Sequence, residues 1–180
     1  MTNSKAREKD EWRHLTWVNA GPESRLMLDG QEVGSLEFSG AHGSLAVARS
    51  AKGSWTFKRS GFLRPKITIR RAGSDLDYAF ESMNWSGGGR LQIVGGESFR
   101  IRRSGILRPQ LVVRDSSRNV LMSLRVNPRS GEASVLVMAN PNLSEEEHLL
   151  AALTWYSITL TLRYENEAGM MAAIVAGANA

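Results

Sequence analysis

The chain reads as mainly β with one helix: a twelve-stranded antiparallel barrel, built from three four-strand repeats, closed around a hydrophobic C-terminal helix. Three observations lead there. Short alternating runs separated by turn residues fill the stretch from Trp12 to Met138, the pattern of an all-β barrel or sandwich. Part of that stretch repeats at an offset of 44 residues. The uncharged run from Leu149 to Leu162 comes after all the strands.

Taken in order, residues 1–11 form a polar, flexible lead. Met1–His14 is too charged for a secretory signal. Strands are expected at Trp12–Val18, Arg25–Asp29, Glu32–Phe38, Ser44–Ala48, Ser54–Arg59 and Lys66–Arg71. Six more follow at Asp77–Met83, Arg90–Val94, Ser98–Arg103, Gln110–Arg114, Val120–Val126 and Ala133–Met138. Turn signals such as Asp29-Gly30, Lys52-Gly53 and Gly95-Gly96 separate them.

The repeat aligns Trp55–Arg70 with Phe99–Arg114, and Arg-Ser-Gly-x-Leu-Arg-Pro is identical in both copies. Beyond it, Ala79-Phe80 falls on Ser123-Leu124 and Leu91–Ile93 on Val135–Val137. A fainter first copy places Val33–Leu36 over Leu121–Leu124. Within the motif, Gly61 and Gly105 permit positive φ, and Pro65 and Pro109 suit the first residue of a strand. Arg64 and Arg108 have no such backbone duty. Propeller blades are the competing architecture, but three blades fall short of the usual number and leave the apolar segment unexplained. Twelve strands enclose a bore wider than their own side chains fill, and an apolar helix is the right object to fill it.

That helix is expected over about residues 144–162. Ser144 as N-cap and Glu147 three residues on form a capping box, with Glu145 and Glu146 at the positive end of the dipole. Apolar residues then cover every face, which marks a helix buried all round. A strand over Ser157–Tyr164 is the rival reading, since Ile158, Leu160, Leu162 and Tyr164 alternate with polar residues. The barrel domain thus spans 12–164, and 165–180 is an apolar tail.

Bulk composition narrows the function. The chain has 180 residues, no cysteine and a net charge of +5. That excludes disulfides, thiolate chemistry and cysteine metal sites, and favours polyanionic partners. No segment is long enough to span a membrane, so a cytoplasmic, membrane-peripheral protein is expected. No Asp or Glu occurs between Phe38 and Ser74, where eight Lys and Arg residues form a basic stripe.

Catalytic signals are weak. His14, His42 and His148 sit in unrelated segments without a nucleophile motif, so no enzyme is expected. Asp75, Asp77, Glu81 and Asp115 could make a calcium site, but a solvated face is the better reading, and no cofactor is expected. Gly87-Gly88-Gly89-Arg90 lacks the Lys-Ser/Thr of a phosphate loop and precedes a strand. Trp55 beside basic residues admits base stacking, yet its repeat partner Phe99 marks a packing position, so nucleic acid is disfavoured.

The four-strand repeats, the late hydrophobic segment Ser144–Leu162, and phrases such as Ile69-Arg70 and Val113-Arg114-Asp115 leading into Leu124-Arg125 resemble the tubby-like superfamily. Within it they resemble the LURP-one-related and phospholipid-scramblase-like branch. The resemblance implies a twelve-stranded barrel around a C-terminal helix, and binding of phosphoinositide or other anionic headgroups through basic surface residues. The cysteine-rich segment and terminal membrane helix of scramblases are missing, which argues against lipid scrambling. The expected function is therefore non-enzymatic binding of an anionic phospholipid headgroup or acidic protein through Lys58, Arg59, Arg64, Arg102, Arg103 and Arg108. A structural or protein-interaction module is the alternative.

Overall fold

The computed structural model describes residues 12–20, 23–40, 43–61, 65–83, 88–104, 110–127, 133–138 and 143–178. The strands are β1 (Trp12–Ala20), β2 (Glu23–Leu28), β3 (Gln31–Phe38), β4 (Ala46–Ser50), β5 (Gly53–Ser60) and β6 (Lys66–Arg71). They continue with β7 (Asp77–Met83), β8 (Gly89–Ile93), β9 (Ser98–Ser104), β10 (Gln110–Arg114), β11 (Val120–Val126) and β12 (Ala133–Met138). One helix, α1 (Glu145–Ala178), follows. Every strand pairs antiparallel with its sequence neighbours, and β1 closes the barrel on β12 from Trp12↔Met138 to Trp17↔Ala133.

Local chemistry explains the tight corners. Asp29 and Gly30 both take positive φ, at 51° and 79°, the conformation of the two-residue hairpin turn that Asp-Gly favours. Gly61 at φ 81° fulfils its sequence expectation, whereas Gly105 and Pro109 lie outside the described residues. Three register shifts recur at every fourth strand: Leu26/Met27 in β2–β3, Ile69/Arg70 in β6–β7 and Val113/Arg114 in β10–β11. Each puts an extra residue on the odd-numbered strand and reverses which side its side chains face. The shifts also correct one alignment. Ala79 occupies the register position of Met122, not Ser123, because Ile69↔Ala79 corresponds to Val113↔Met122.

Alternation then fills the interior. Leu15, Trp17, Leu26, Leu36, Trp55, Phe57, Ile67, Ile69, Leu91 and Leu124 all point inward and are almost wholly buried. The helix meets them through stacked aromatic pairs: Trp17–Trp155 at 5.9 Å, Phe38–Tyr156 at 5.4 Å and Phe57–Tyr156 at 5.3 Å. Such contacts add about 0.5–1.5 kcal/mol each beyond the area they bury. Leu149–Ile158 is buried on every face, as a helix in the bore of a barrel requires.

The capping box forms as read: Ser144 N donates to Glu147 Oε2 at 2.6 Å and Glu147 N to Ser144 Oγ at 3.1 Å. The helix also accommodates its threonines. Thr154 and Thr161 donate to the carbonyls of Leu150 and Ser157, four residues back, at 2.8 and 2.9 Å, which satisfies hydroxyls that would otherwise favour extended chain. The strand alternative for Ser157–Tyr164 is thereby displaced.

The helix is longer than its apolar run predicts. It has 34 residues, about 50 Å at 1.5 Å each, and continues through Ala178 instead of ending near Leu162. The charges that begin at Arg163 mark where the helix leaves the bore: Arg163 stacks on Phe38 at 3.9 Å and Tyr164 lies under Arg59 at 4.8 Å, both at the rim. The helix continues past these charges through residues that are mostly good helix formers. No helix among the described residues is long and apolar enough to cross a membrane.

Candidate functional site: an arginine cleft on the outer wall

Outward-facing positions on β8, β9 and β10 carry a concentration of one residue type. Arg90 faces Arg100 across β8–β9, and Arg100 faces Arg114 across β9–β10. Arg102 stands two residues beyond Arg100 on the same face of β9, as strand alternation requires. Arg118 reaches in from the β10–β11 turn. These five arginines, with Ser98, Asp115 and Ser116, line a cleft of about 440 Å³.

The turn that delivers Arg118 is held by one carboxylate. Asp115 accepts from Asn119 N at 2.8 Å and from Asn119 Nδ2 at 2.9 Å, and Arg118 takes a positive φ of 72°. A bulky residue is uncommon there and strained. Its carbonyl accepts from Arg114 Nη1 at 2.9 Å. Arg90 Nη2 reaches Ser98 Oγ at 3.5 Å. None of the five forms an ion pair among the described residues.

Like charges directly across strands destabilise a sheet, so this arrangement costs folding energy. The protein itself shows the neutral alternative one four-strand unit earlier. There Arg70 sits beside the equivalent register shift and pairs with Asp77 at 2.7 Å. Its neighbour on β5 is Thr56. In the arginine cleft the position of Asp77 is taken by Val120, opposite Arg114, and that of Thr56 by Arg100. At these two positions the cleft has an apolar residue and a second cation, where the earlier strands have an acid and a threonine.

The six residues expected from the sequence are dispersed by the fold. Arg102 enters the cleft. Lys58 is exposed on the outer face of β5, four strands from β9, about 19 Å around the wall at about 4.8 Å per strand. Arg59 turns the other way, to the rim, where it covers Tyr164 at 4.8 Å. Arg103 likewise continues the inward register of Phe99 and Ile101 and is half-buried. Arg64 and Arg108 lie outside the described residues. Arg90, Arg100, Arg114 and Arg118 were missed. The available signal was the absence of Asp and Glu from Ser98 to Arg114, with Arg100 and Arg102 in alternation.

Other titratable groups do not converge on this cleft. His14 bonds Ser134 Oγ on the outside of β1–β12, and His148 lies at the start of α1; His42 lies outside the described residues. Asp77 points outward to Arg70, whereas Glu81, beyond the register shift, points inward and is 1% exposed. Asp115 serves its own turn, so the carboxylates weighed as calcium ligands lie apart. Among the described residues no group of three or more His, Asp or Glu side chains could hold a metal ion. With these features in view, searches against protein-family models, curated proteins and solved structures found no match to the chain.

Proposed function

We propose that the protein is a non-enzymatic binding domain whose arginine cleft on β8–β10 takes the phosphate of an anionic phospholipid headgroup. The observation that carries this reading is the row Arg90–Arg100–Arg114, three cations in direct register without an acidic partner among the described residues. Guanidinium groups hold phosphate oxygens in pairs of charge-assisted hydrogen bonds. Leu76 and Val94 support a membrane surface over an acidic protein. They are 80% and 59% exposed and lie in the β6–β7 and β8–β9 turns, at the same end of the barrel as Arg118. That pairing of apolar tips with a cationic cleft supports membrane-peripheral placement.

Membership of the tubby-like superfamily belongs to the same proposal, supported by the closed twelve-strand barrel around a C-terminal helix. So does an origin in three four-strand copies, supported by the register shifts at every fourth strand.

The test is co-sedimentation with vesicles containing phosphatidylserine or a phosphoinositide, against neutral phosphatidylcholine vesicles, over a salt series. Basic residues near an anionic surface contribute about 1 kcal/mol each. Replacing Arg100 and Arg114 by alanine should therefore weaken binding about 30-fold, and salt should weaken the native protein. Equal binding to neutral vesicles, or an unaffected double variant, would refute the proposal and favour a protein-interaction module.

A further inference from the structure

A second cleft, sharing no residue with the first, opens where β1–β4 meet the start of α1. It has a volume of about 540 Å³, within the range of small-molecule sites. Leu28, Val33 and Leu143 supply apolar walls. Arg13 also lines it, two residues before the fully buried Leu15 on β1. That parity turns Arg13 toward the barrel mouth.

Charge balance in this cleft is incomplete. Glu32 faces Arg25 at 3.7 Å and Arg49 faces Glu37 at 3.1 Å. Arg13 and Lys52 have no acidic partner among the described residues. His148 is 7% exposed, and its Nδ1 lies 3.0 Å from the Ser144 carbonyl. A carbonyl only accepts, so the proton sits on Nδ1 and Nε2 is the ring's remaining polar atom.

Two unmatched cations beside apolar walls select an anion that carries an apolar body. Inorganic phosphate would answer the cations and leave the walls wet, whereas a carboxylate on an alkyl chain answers both. We propose that this cleft binds a small amphipathic carboxylate, its head held by Arg13 and Lys52 and its body packed on Leu28, Val33 and Leu143.

The experiment uses the full chain and 1-anilinonaphthalene-8-sulfonate, an apolar anion, as a fluorescent probe, displaced by decanoate or by inorganic phosphate. The expected result is saturable binding that decanoate displaces and equimolar phosphate does not. Arg13→Ala should weaken decanoate by about 10–100-fold, the loss typical of a hydrogen bond to a charged group. Lys52→Ala, in an exposed turn, decides the matter if Arg13→Ala fails to fold, and should also weaken decanoate. Arg114→Ala, in the other cleft, should leave decanoate unchanged. Absence of saturable binding, displacement by phosphate as effective as by decanoate, or native affinity in Lys52→Ala would overturn the proposal.

Discussion

Glu81 offers the sharpest physical test of the barrel. Its carboxyl lies inside the wall, 1% exposed, facing Leu91 on one neighbouring strand and Ile67 on the other. The hydrogen bond it receives comes from Ser157 Oγ on the helix at 3.2 Å. Burial raises its pKa from 4.5 to about 7, against a smaller lowering by the Ser157 hydroxyl. A group whose folded pKa is raised binds more protons in the folded state between those two values. The stability this group contributes is therefore fully present below about pH 4.5 and is lost as pH rises through about 7. At about 1.4 kcal/mol per pKa unit, the total loss is about 3 kcal/mol. Glu81→Gln keeps the shape and an acceptor for Ser157 but cannot ionise. The variant should match the native protein near pH 4.5 and exceed it by about 3 kcal/mol near pH 8.5. For a chain of this length that is a rise of about 6–12 °C in Tm. Thermal unfolding of both proteins from pH 4.5 to 8.5, followed by circular dichroism, measures the difference while cancelling the other carboxylates. A gap that stays constant with pH, or that shrinks as pH rises, would refute the placement of Glu81 in the core.

Further perturbations test the remaining parts. Val120→Asp should recreate opposite Arg114 the ion pair that Asp77 makes with Arg70, weakening binding to anionic vesicles about tenfold or more with every arginine intact; vesicle co-sedimentation reads it. Arg100→Thr, copying Thr56, should stabilise the fold by about 0.2–1 kcal/mol while weakening binding, as measured by denaturant unfolding beside the same vesicle assay. Leu153→Ala, at a fully buried helix position, should cost about 2–5 kcal/mol, and Leu153→Asp should abolish cooperative unfolding. A Cβ at Gly89 would lie 2.7 Å from both Glu81 Oε1 and the Ser82 carbonyl, so Gly89→Ala should cost about 1–3 kcal/mol in chemical denaturation.

Much of the fold is legible in the chain because its signals are local. The strands Lys66–Arg71, Asp77–Met83, Gln110–Arg114, Val120–Val126 and Ala133–Met138 coincide with β6, β7, β10, β11 and β12, where turn residues flank short runs rich in β-branched and aromatic side chains. The capping box places the helix start within a residue. What escapes is register. Simple alternation puts Asp77 and Glu81 on one face, but Tyr78 is the extra residue of the β6–β7 shift, so the two carboxyls part. One meets Arg70 outside and the other meets Ser157 inside. The arginine cleft escapes for a related reason. Arg90, Arg100 and Arg114 are spread over 25 residues of sequence, and only pairing of β8, β9 and β10 sets them side by side.

The helix also accounts for why the outer wall is free to hold that charge. In a small barrel the inner side chains fill the bore unaided, but twelve strands leave a space that they cannot close. Here Trp155, Tyr156 and Leu153 close it, stacking on Trp17, Phe38 and Phe57 or packing among the inner side chains. Cohesion thus comes from the contact between wall and helix, and each strand's outward residues are released from packing. Where nothing further is asked of them, they neutralise one another, as Arg70 does with Asp77 and Arg49 with Glu37. On β8–β10 they do not. The wall there carries three facing arginines at a cost that an ordinary aspartate at position 120 would remove, and the anion we propose for this cleft would supply the missing charge.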